Sequence, residues 1–382
     1  TWRPELAERA AEAIGNETAQ IGVNITFAPM VDISRDPRWG RVIEGAGEDA
    51  FLAAAFSAAR VRGYHKGGLA TSAKHFVGYG APEGGRDYNG AQISLSELFD
   101  RYIPPFKAAI DAGTETVMAS FNTVNGVPVT ANHRLITGVL KERLGFDGLV
   151  MSDFAAISEL VNHGVAGDLG EAARKALHAG IDFDMEGKAY DKHLAEGVKA
   201  GLVPVREIDA AVRRVLRVKY RMGLFPDSPG GVRKVPPAIG EAGVRKTARD
   251  VARESFVLLK NGGATLPITP QSGTVALIGA AATSTNDHSW YGPAGLEKPK
   301  TETLLEALEA RVGKTQKLLF APAFADACGQ SFADKDKALE TARAADLVVL
   351  VLSEDCAISG EGVSRVDLGL TGVQEEMLDA LV

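Results

Sequence analysis

Several side chains that could do chemistry follow apolar runs in the 382-residue sequence. In GFDGLVMSDF (145–154), Asp153 lies at the end of a short apolar strand, where a helical pattern begins. In LATSAKHF (69–76), Lys74 and His75 lie at the end of a buried strand. A carboxylate fixed at the end of a strand could act as a nucleophile or base, although Asp153 or Ser152 could equally cap the next helix. An unpaired buried lysine is costly, so Lys74 indicates either solvent contact or a polar ligand.

A second group of residues suits ligand recognition. RWGR places Trp39 between Arg38 and Arg41, which fits either carbohydrate or carboxylate recognition or a surface loop with a stacked tryptophan. His75 has no second histidine at ligand spacing, so no metal site is predicted. The turn IGAAATS (278–284) lacks the G-x-G-x-x-G spacing, which makes a nicotinamide enzyme a weak alternative.

The stretch SEDCAISGEGVSR (353–365) carries three acidic residues after the run LVVLVL. These are Glu354, Asp355 and Glu361. A loop of this composition is usually solvated, and its acids would matter for chemistry only if one of them faced Asp153.

Composition narrows the class of protein. The chain is 45% hydrophobic and 24% charged, which excludes a disordered protein and suggests two domains. The formal net charge of −7 argues against a nucleic-acid partner, because phosphate binding needs clustered positive charge. No apolar run approaches the length of a membrane span. The two cysteines, Cys328 and Cys356, form neither a disulfide framework nor a metal motif and are expected to be buried.

Alternating strand and helix patterns must position these groups. Near-continuous apolar runs indicate parallel strands buried on both faces. The predicted strands are 24–32, 69–75, 114–121, 148–153 and 181–186. The predicted helices are 49–65, 94–112, 133–144, 170–179, 190–200 and 205–222. Polar residues follow the strands, as at the mouth of a (β/α)8 barrel, which is favoured over an open sheet. These residues are Asp32, Lys74, His75, Asn122, Asp153, Asp184 and Glu186.

A Pro- and Gly-rich stretch divides the chain. PDSPGGVRKVPPAIG (226–240) has the composition of a linker. We therefore predict an α/β barrel domain at 1–225, a linker at 226–244 and a second α/β domain at 245–382. The second domain should contain a helix at 245–259, strands at 274–279, 317–321 and 347–352, and a last helix at 372–382. Five strands are too few for a closed barrel, so the chain is expected to be a fragment, with an incomplete barrel and a partial second domain.

Seven segments, in order along nearly the whole chain, resemble glycoside hydrolase family 3, of the periplasmic β-glucosidase type. They are DPRWGRVIEGAGED (36–49), AKHFVGYGAPEGGRDYN (73–89), FNTVNGVPVTAN (121–132), GFDGLVMSDFAAI (145–157), VKYRMGLF (218–225), ARESFVLLKNGG (252–263) and SGEGVSR (359–365). The resemblance implies a TIM-like (β/α)8 barrel followed by an α/β sandwich. It also implies an upstream sugar-gripping Asp, which is absent from this sequence.

The resemblance also implies roles for individual residues. Asp153 matches the family nucleophile. The general acid and base should be a Glu of the second domain, and its usual place directly after the strand favours Glu354 over Glu361, which stands in the rival motif SGEG. The implied substrate-binding residues are Arg41, Lys74, His75, Phe121 and Met118, with Phe121 standing where many members carry Tyr.

The implied activity is retaining hydrolysis of terminal, non-reducing β-D-glucosyl residues of oligosaccharides or glucosides, without a cofactor. A β-xylosidase or another exo-β-glycosidase of the family is the alternative, and a non-catalytic carbohydrate-binding relative is a weaker one. The loop 80–92 contains no His, which argues against the family's N-acetylglucosaminidases. The resemblance implies a periplasmic or secreted protein, although the sequence itself leaves the compartment unknown. The sequence also allows a homodimer.

Overall fold

The computed structural model describes residues 1–285, 301–354 and 358–382, which form two units, Thr1–Phe256 and Val257–Val382. The predicted boundary differs from this division, because the predicted linker 226–244 and the helix that follows it lie within the first unit. Cys356 and Asp355 lie outside the described residues.

A parallel four-stranded sheet organises the first unit, in the order β1-β2-β3-β6. Its strands are β1 (Ile25–Thr26), β2 (Ala70–Phe76), β3 (Thr116–Ala119) and β6 (Leu149–Met151). A separate antiparallel hairpin joins β4 (Thr123–Val124) to β5 (Val127–Pro128). The parallel order means that the carboxyl ends of β1, β2, β3 and β6 share one edge, where the polar residues were expected.

Helices connect the strands of this sheet and cover it. They are α1 (Pro4–Gln20), α2 (Ala50–Gly67), α3 (Leu95–Glu97), α4 (Pro104–Asp111), α5 (Glu159–Asn162), α6 (Leu169–Ala179), α7 (Ala189–Lys199), α8 (Val205–Arg221) and α9 (Glu241–Ser255), with π-helical segments at Leu98–Tyr102 and Arg134–Arg143. Capping fixes several of their ends. Asp49 accepts the Leu52 N–H at the start of α2, and Gly68 ends α2 at a φ of 94° that suits glycine.

The described residues do not close the parallel sheet into a barrel. The predicted strand 181–186 is reduced to a single bridge between Phe183 and Met151. The physical reason lies next to it, since the Asp182 carboxylate accepts the Val150 N–H that a ladder partner would otherwise take. The predicted strand 24–32 is interrupted for a different reason, since Pro29 has no N–H to donate, and pairing with β2 resumes at Met30, which bridges Lys74.

The Pro- and Gly-rich stretch is held against the first unit by polar contacts. Arg233 donates to the carbonyl oxygens of Gly68 and Val23. The Asn16 amide donates to the Pro237 carbonyl and accepts the Ile239 N–H. This stretch therefore runs along α1 and the start of β2, although its composition predicts a linker.

The second unit contains a parallel three-stranded sheet in the order β8-β7-β9. Its strands are β7 (Val275–Ile278), β8 (Leu318–Ala321) and β9 (Leu347–Leu350). Its helices are α10 (Leu304–Arg311), α11 (Lys335–Arg343) and α12 (Gln374–Leu381). All four β7 residues are buried, as expected for a central strand covered on both faces. Cys328 is also buried, as expected.

Candidate active site

The sheet edge of the first unit brings together the two strongest sequence candidates. Lys74 and His75 lie near the end of β2, and Asp153 follows β6 by two residues. β2 and β6 are each paired with β3, so one strand separates them. His75 Nε2 nevertheless lies 3.5 Å from Asp153 Oδ2.

Asp153 is a buried carboxylate with one oxygen engaged. Oδ1 accepts the N–H of Phe154 at 2.7 Å. Oδ2 is buried and makes no hydrogen bond with any of the described residues. A buried oxygen in this state is poised to accept a donor or to react. The cap that was the alternative role is not observed. Among the described residues, the Asp153 side chain accepts a hydrogen bond only from the Phe154 N–H, and the next helix begins at Glu159.

His75 is held from behind by Asp32. The His75 backbone N–H donates to Asp32 Oδ2 at 3.0 Å, and Nδ1 lies 2.8 Å from the same oxygen. Both side chains are about 1% exposed. The sequence placed Asp32 among the strand-end polar residues but gave no sign of this contact, since the two residues lie on different strands.

Arg41 is buried and engaged in a bidentate ion pair. Its Nε and Nη2 donate to the two Glu44 carboxylate oxygens at 2.7 and 3.1 Å. Its guanidinium also lies 5.4 Å from the centre of the Tyr79 ring. Glu44 and Tyr79 were not identified from the sequence, although the i, i+3 spacing of Arg41 and Glu44 in a short helical turn is a usable signal.

Aromatic rings line the same region. Tyr79 packs edge-on against His75 at 4.9 Å and against Trp39 at 5.3 Å. Trp39 is fully buried and donates its indole N–H to Asp87 at 2.7 Å. Phe121, predicted to bind substrate, packs edge-on against the exposed ring of Tyr88 at 5.3 Å. Trp39 is therefore not the stacked tryptophan of a surface loop, which was the alternative interpretation of RWGR.

Met118, also predicted to bind substrate, lies elsewhere. Its side chain is 2% exposed and packs with Leu149, Met151 and Val218 in an apolar cluster. Among the other strand-end residues, Asp184 accepts the N–H groups of Ala189 and Tyr190 at the start of α7. The structure thus brings Arg41, Lys74, His75 and Asp153 into one electrostatic cluster and packs Met118 in the core.

Burial and charge set the ionisation of this cluster. Burial raises the pKa of Asp153, against the opposing effects of His75, the Phe154 N–H, Lys74 and Arg41. Burial also raises the pKa of Asp32 to about 7. The pKa of His75 is lowered well below its ordinary value, first by burial and then by the charge of Lys74. His75 is therefore a neutral imidazole between two carboxyl groups.

In the second unit, Glu354 and Glu361 occupy different settings. The Glu354 carboxylate forms an ion pair with the guanidinium of Arg365, whose side chain is only 12% exposed. This pair joins the two ends of the segment that carries Glu361, which is itself exposed. The contact of Arg365 with Glu354 could not be read from the sequence.

Neither a metal-binding cluster nor a membrane-spanning helix is found in the part of the chain that the structure describes. No cluster of three or more His, Cys, Asp and Glu side chains in it has the geometry of a metal site. None of its helices combines the length and apolarity needed to cross a bilayer.

Comparison with known proteins places the chain in a family. The model of the glycosyl hydrolase family 3 N-terminal domain matches residues 1–218, and that of the C-terminal domain matches residues 256–382. A periplasmic β-glucosidase of Salmonella typhimurium is 39% identical over 96% of this chain and 52% of its own length. A β-xylosidase of Formosa agariphila is 33% identical over 100% of this chain and 56% of its own.

Solved structures give the same result. The crystal structure of a β-glucosidase from Listeria innocua in complex with glucose matches with a TM-score of 0.88 and 34% identity, covering 100% of this chain and 53% of that one. The chain therefore spans about half the length of the relatives it matches. Both domain models and these relatives cover the chain from the first strand to the last helix, and the chain belongs to glycosyl hydrolase family 3.

Proposed function

We propose that the whole protein hydrolyses terminal, non-reducing β-D-glucosyl residues of oligosaccharides or glucosides, with Asp153 as the nucleophile. The observation that supports this most is the buried Asp153 Oδ2, which accepts no hydrogen bond from the described residues and lies 3.5 Å from His75 Nε2 at the carboxyl edge of a parallel sheet. The β-glucosidase and β-xylosidase relatives support the same class of substrate.

The proposed reaction is a double displacement with retention of configuration. The Asp153 carboxylate attacks the anomeric carbon while the bond to the leaving oxygen breaks and a general acid protonates that oxygen. The resulting glycosyl ester is then opened by water, whose proton returns to the same acid residue as the Asp153 carboxylate leaves. No cofactor enters either step.

The general acid and base is proposed to be Glu361, with Glu354 as the alternative. The sequence favoured Glu354, but that carboxylate is bound by the guanidinium of Arg365, whose side chain is only 12% exposed. A general acid and base must be protonated and deprotonated in every cycle. A cation fixed at its carboxylate favours the ionised form and so opposes protonation. In this proposal the Glu354–Arg365 pair holds the segment on which Glu361 lies.

The glycone hydroxyls are proposed to be bound by Lys74, His75 and Arg41. Arg41 is already immobilised by Glu44 and Tyr79, so little side-chain entropy is lost when it meets a sugar. Phe121 and the ring of Tyr88 offer an apolar surface beside this cluster. Met118 is proposed to act only by supporting β3 from the core.

The finer fold and assembly belong to the same proposal. We propose that the parallel sheet of the first unit is part of a (β/α)8 barrel, since its strand order follows the chain and helices separate successive strands. We further propose that the protein forms a homodimer and is periplasmic or secreted. Sedimentation of the purified protein and fractionation of the source cells test them.

A panel of aryl β-glycosides, assayed on the complete natural polypeptide, tests the function. We expect the highest kcat/KM on the β-glucoside. A higher value on the β-xyloside would assign the alternative specificity. The absence of turnover on every β-glycoside would contradict the proposed activity and favour a carbohydrate-binding role.

A further inference from the structure

Asp32 is a fully buried carboxyl group to which the proposed reaction gives no task. It lies in the extended stretch after β1, beside β2, where the Val31 N–H donates to the Lys74 carbonyl at 2.8 Å. Its side chain is about 1% exposed. Burying a carboxyl group is costly, so its presence beside the candidate nucleophile calls for a physical role.

A single oxygen of Asp32 fixes the orientation of the His75 ring. Oδ2 meets the His75 backbone N–H at 3.0 Å and Nδ1 at 2.8 Å. The backbone contact fixes the Asp32 carboxylate beside His75, and the Nδ1 contact restrains the ring in an orientation that places Nε2 3.5 Å from Asp153 Oδ2. Edge-on packing against Tyr79 restrains the ring from a third side.

The number of hydrogens on the Asp32–His75 pair decides what Nε2 presents to Asp153. With two hydrogens, one lies between Asp32 and Nδ1, and the other lies on Nε2 and can be donated to Asp153. With one hydrogen, it lies on the closer contact, between Nδ1 and Asp32. Nε2 then presents a bare lone pair to the Asp153 carboxylate, and the contact becomes repulsive.

We propose that Asp32 is a positioning residue for the Asp153 reaction, which keeps a hydrogen on His75 Nε2 and directs it at the Asp153 carboxylate. This inference rests on the proposed function of Asp153 as nucleophile. The Nε2–H stabilises the ionised carboxylate and holds its orientation before attack on the anomeric carbon.

The charged groups around the Asp32–His75 pair help to set the pH range in which His75 Nε2 carries a hydrogen. The charged groups that face it are Arg41 and Glu44 from the turn after β1, Lys74 from β2, and Asp153 after β6. Burial outweighs these groups and raises the pKa of Asp32 to about 7, whereas the pKa of His75 is well below its ordinary value. In the two-hydrogen state, the hydrogen between Asp32 and Nδ1 therefore resides on Asp32. The pair loses one hydrogen as the pH rises through about 7, and the remaining hydrogen then lies on Nδ1.

The pH profile of kcat/KM on dinitrophenyl β-glucoside tests the inference in the complete natural polypeptide. This leaving group departs without protonation, so the general acid contributes no alkaline fall. We expect the wild type to lose kcat/KM as the pH rises through about 7. Asp32→Asn keeps an oxygen for the His75 N–H and Nδ1–H but supplies no second hydrogen. We expect it to lower kcat/KM roughly 10- to 100-fold near neutral pH and to remove the fall.

Asp182→Asn is the matched control. Asp182 is another buried carboxylate of the first unit, bound by Lys141 and Arg214. We expect its variant to keep the alkaline fall where the wild type has it. An Asp32→Asn profile with the fall unmoved would overturn the inference, and so would loss of the fall in Asp182→Asn as well.

A measurement on the wild type covers the case in which Asp32→Asn does not fold. Nitrogen-15 NMR of histidine-labelled protein, with His75→Gln to assign the signals, reports which ring nitrogen carries hydrogen. We expect Nε2 to be protonated below a pH of about 7 and bare above it. An Nε2 that keeps one state across this range would overturn the inference. A wild type without β-glycosidase activity would instead contradict the proposed function on which it rests.

Discussion

His75 Nε2 lies 3.5 Å from Asp153 Oδ2, although the strands that carry the two residues are separated by β3. The carboxyl ends of parallel strands meet at one edge, so a side chain from β2 can reach across β3 to the residue after β6. The contact links the candidate nucleophile to a neutral imidazole and, through it, to Asp32.

Azide should rescue a variant that lacks the nucleophile and should give a product with inverted configuration at the anomeric carbon. Asp153→Gly removes the carboxylate and leaves space on the face of the sugar where it attacked. We expect turnover of aryl β-glucosides to be abolished, and added azide to give the α-glucosyl azide, identified by proton NMR. If the variant retains a substantial part of the wild-type rate without azide, Asp153 is not the nucleophile.

The two glutamates of the second unit should differ in their dependence on the leaving group. A general acid matters for a sugar leaving group and little for dinitrophenol. We expect Glu361→Ala to lose about 10²- to 10⁴-fold in kcat/KM on cellobiose and much less on dinitrophenyl β-glucoside. Azide should then accelerate deglycosylation and give the β-azide.

Glu354→Ala serves as the comparison for that experiment. It removes the partner of Arg365, and we expect a moderate loss of similar size on both substrates. The opposite pattern would assign the acid and base role to Glu354. If neither variant discriminates between leaving groups, the catalytic acid lies outside 353–365.

Removing the positive charge of Lys74 should move the acidic limb of the pH profile. Asp153 must be ionised to attack, and its pKa is raised by burial and lowered by the nearby charge of Lys74. Lys74→Met should therefore raise the pKa of Asp153 and shift the acidic limb of kcat/KM to higher pH. The exposed Lys107, paired with Asp111 on α4, offers the control Lys107→Met. An acidic limb that stays in place in Lys74→Met would contradict this electrostatic assignment.

The Asp182 network should contribute to stability rather than catalysis. Its carboxylate contacts Arg214 at 2.7 Å and Lys141 at 3.1 Å, and the Lys141 side chain is 9% exposed. Asp182→Ala removes the carboxylate partner of both cations, although Lys141 still donates to the Gly180 carbonyl, and we expect a loss of roughly 3–5 kcal/mol in the free energy of unfolding. Urea unfolding measures the loss, and Asp182→Asn, which keeps an acceptor oxygen, should lose less. Equal stability of Asp182→Ala and wild type would contradict this role.

Much of the framework was predictable because buried parallel strands leave a near-continuous apolar pattern. β3 and β6 lie within their predicted ranges, and so do the three strands of the second unit, whereas β2 runs one residue past its range, to Phe76. Failures occurred where backbone hydrogen bonds were interrupted. The predicted helix 94–112 is broken by a π-helical segment before Pro104, which has no N–H to donate. The Ala-rich helix α1 was missed entirely.

The site was predictable residue by residue but not contact by contact. Asp153, Lys74, His75 and Arg41 were named from strand ends and from the family motifs, and they do cluster. The contacts that set their chemistry join residues far apart in sequence, as Asp32 does with His75. The pairing of Arg365 with Glu354, eleven positions apart, was likewise not predicted.

Trapping the glycosyl-enzyme tests the central claim most directly. The complete natural polypeptide would be treated with dinitrophenyl 2-deoxy-2-fluoro-β-glucoside. Its fluorine slows both glycosylation and deglycosylation, and its good leaving group speeds glycosylation alone, so the glycosyl-enzyme accumulates. The protein would then be digested and its peptides sequenced by mass spectrometry. We predict time-dependent inactivation with one fluoroglucosyl group attached to the carboxylate of Asp153. Turnover without a trapped intermediate, or a label on any other residue, would contradict the account.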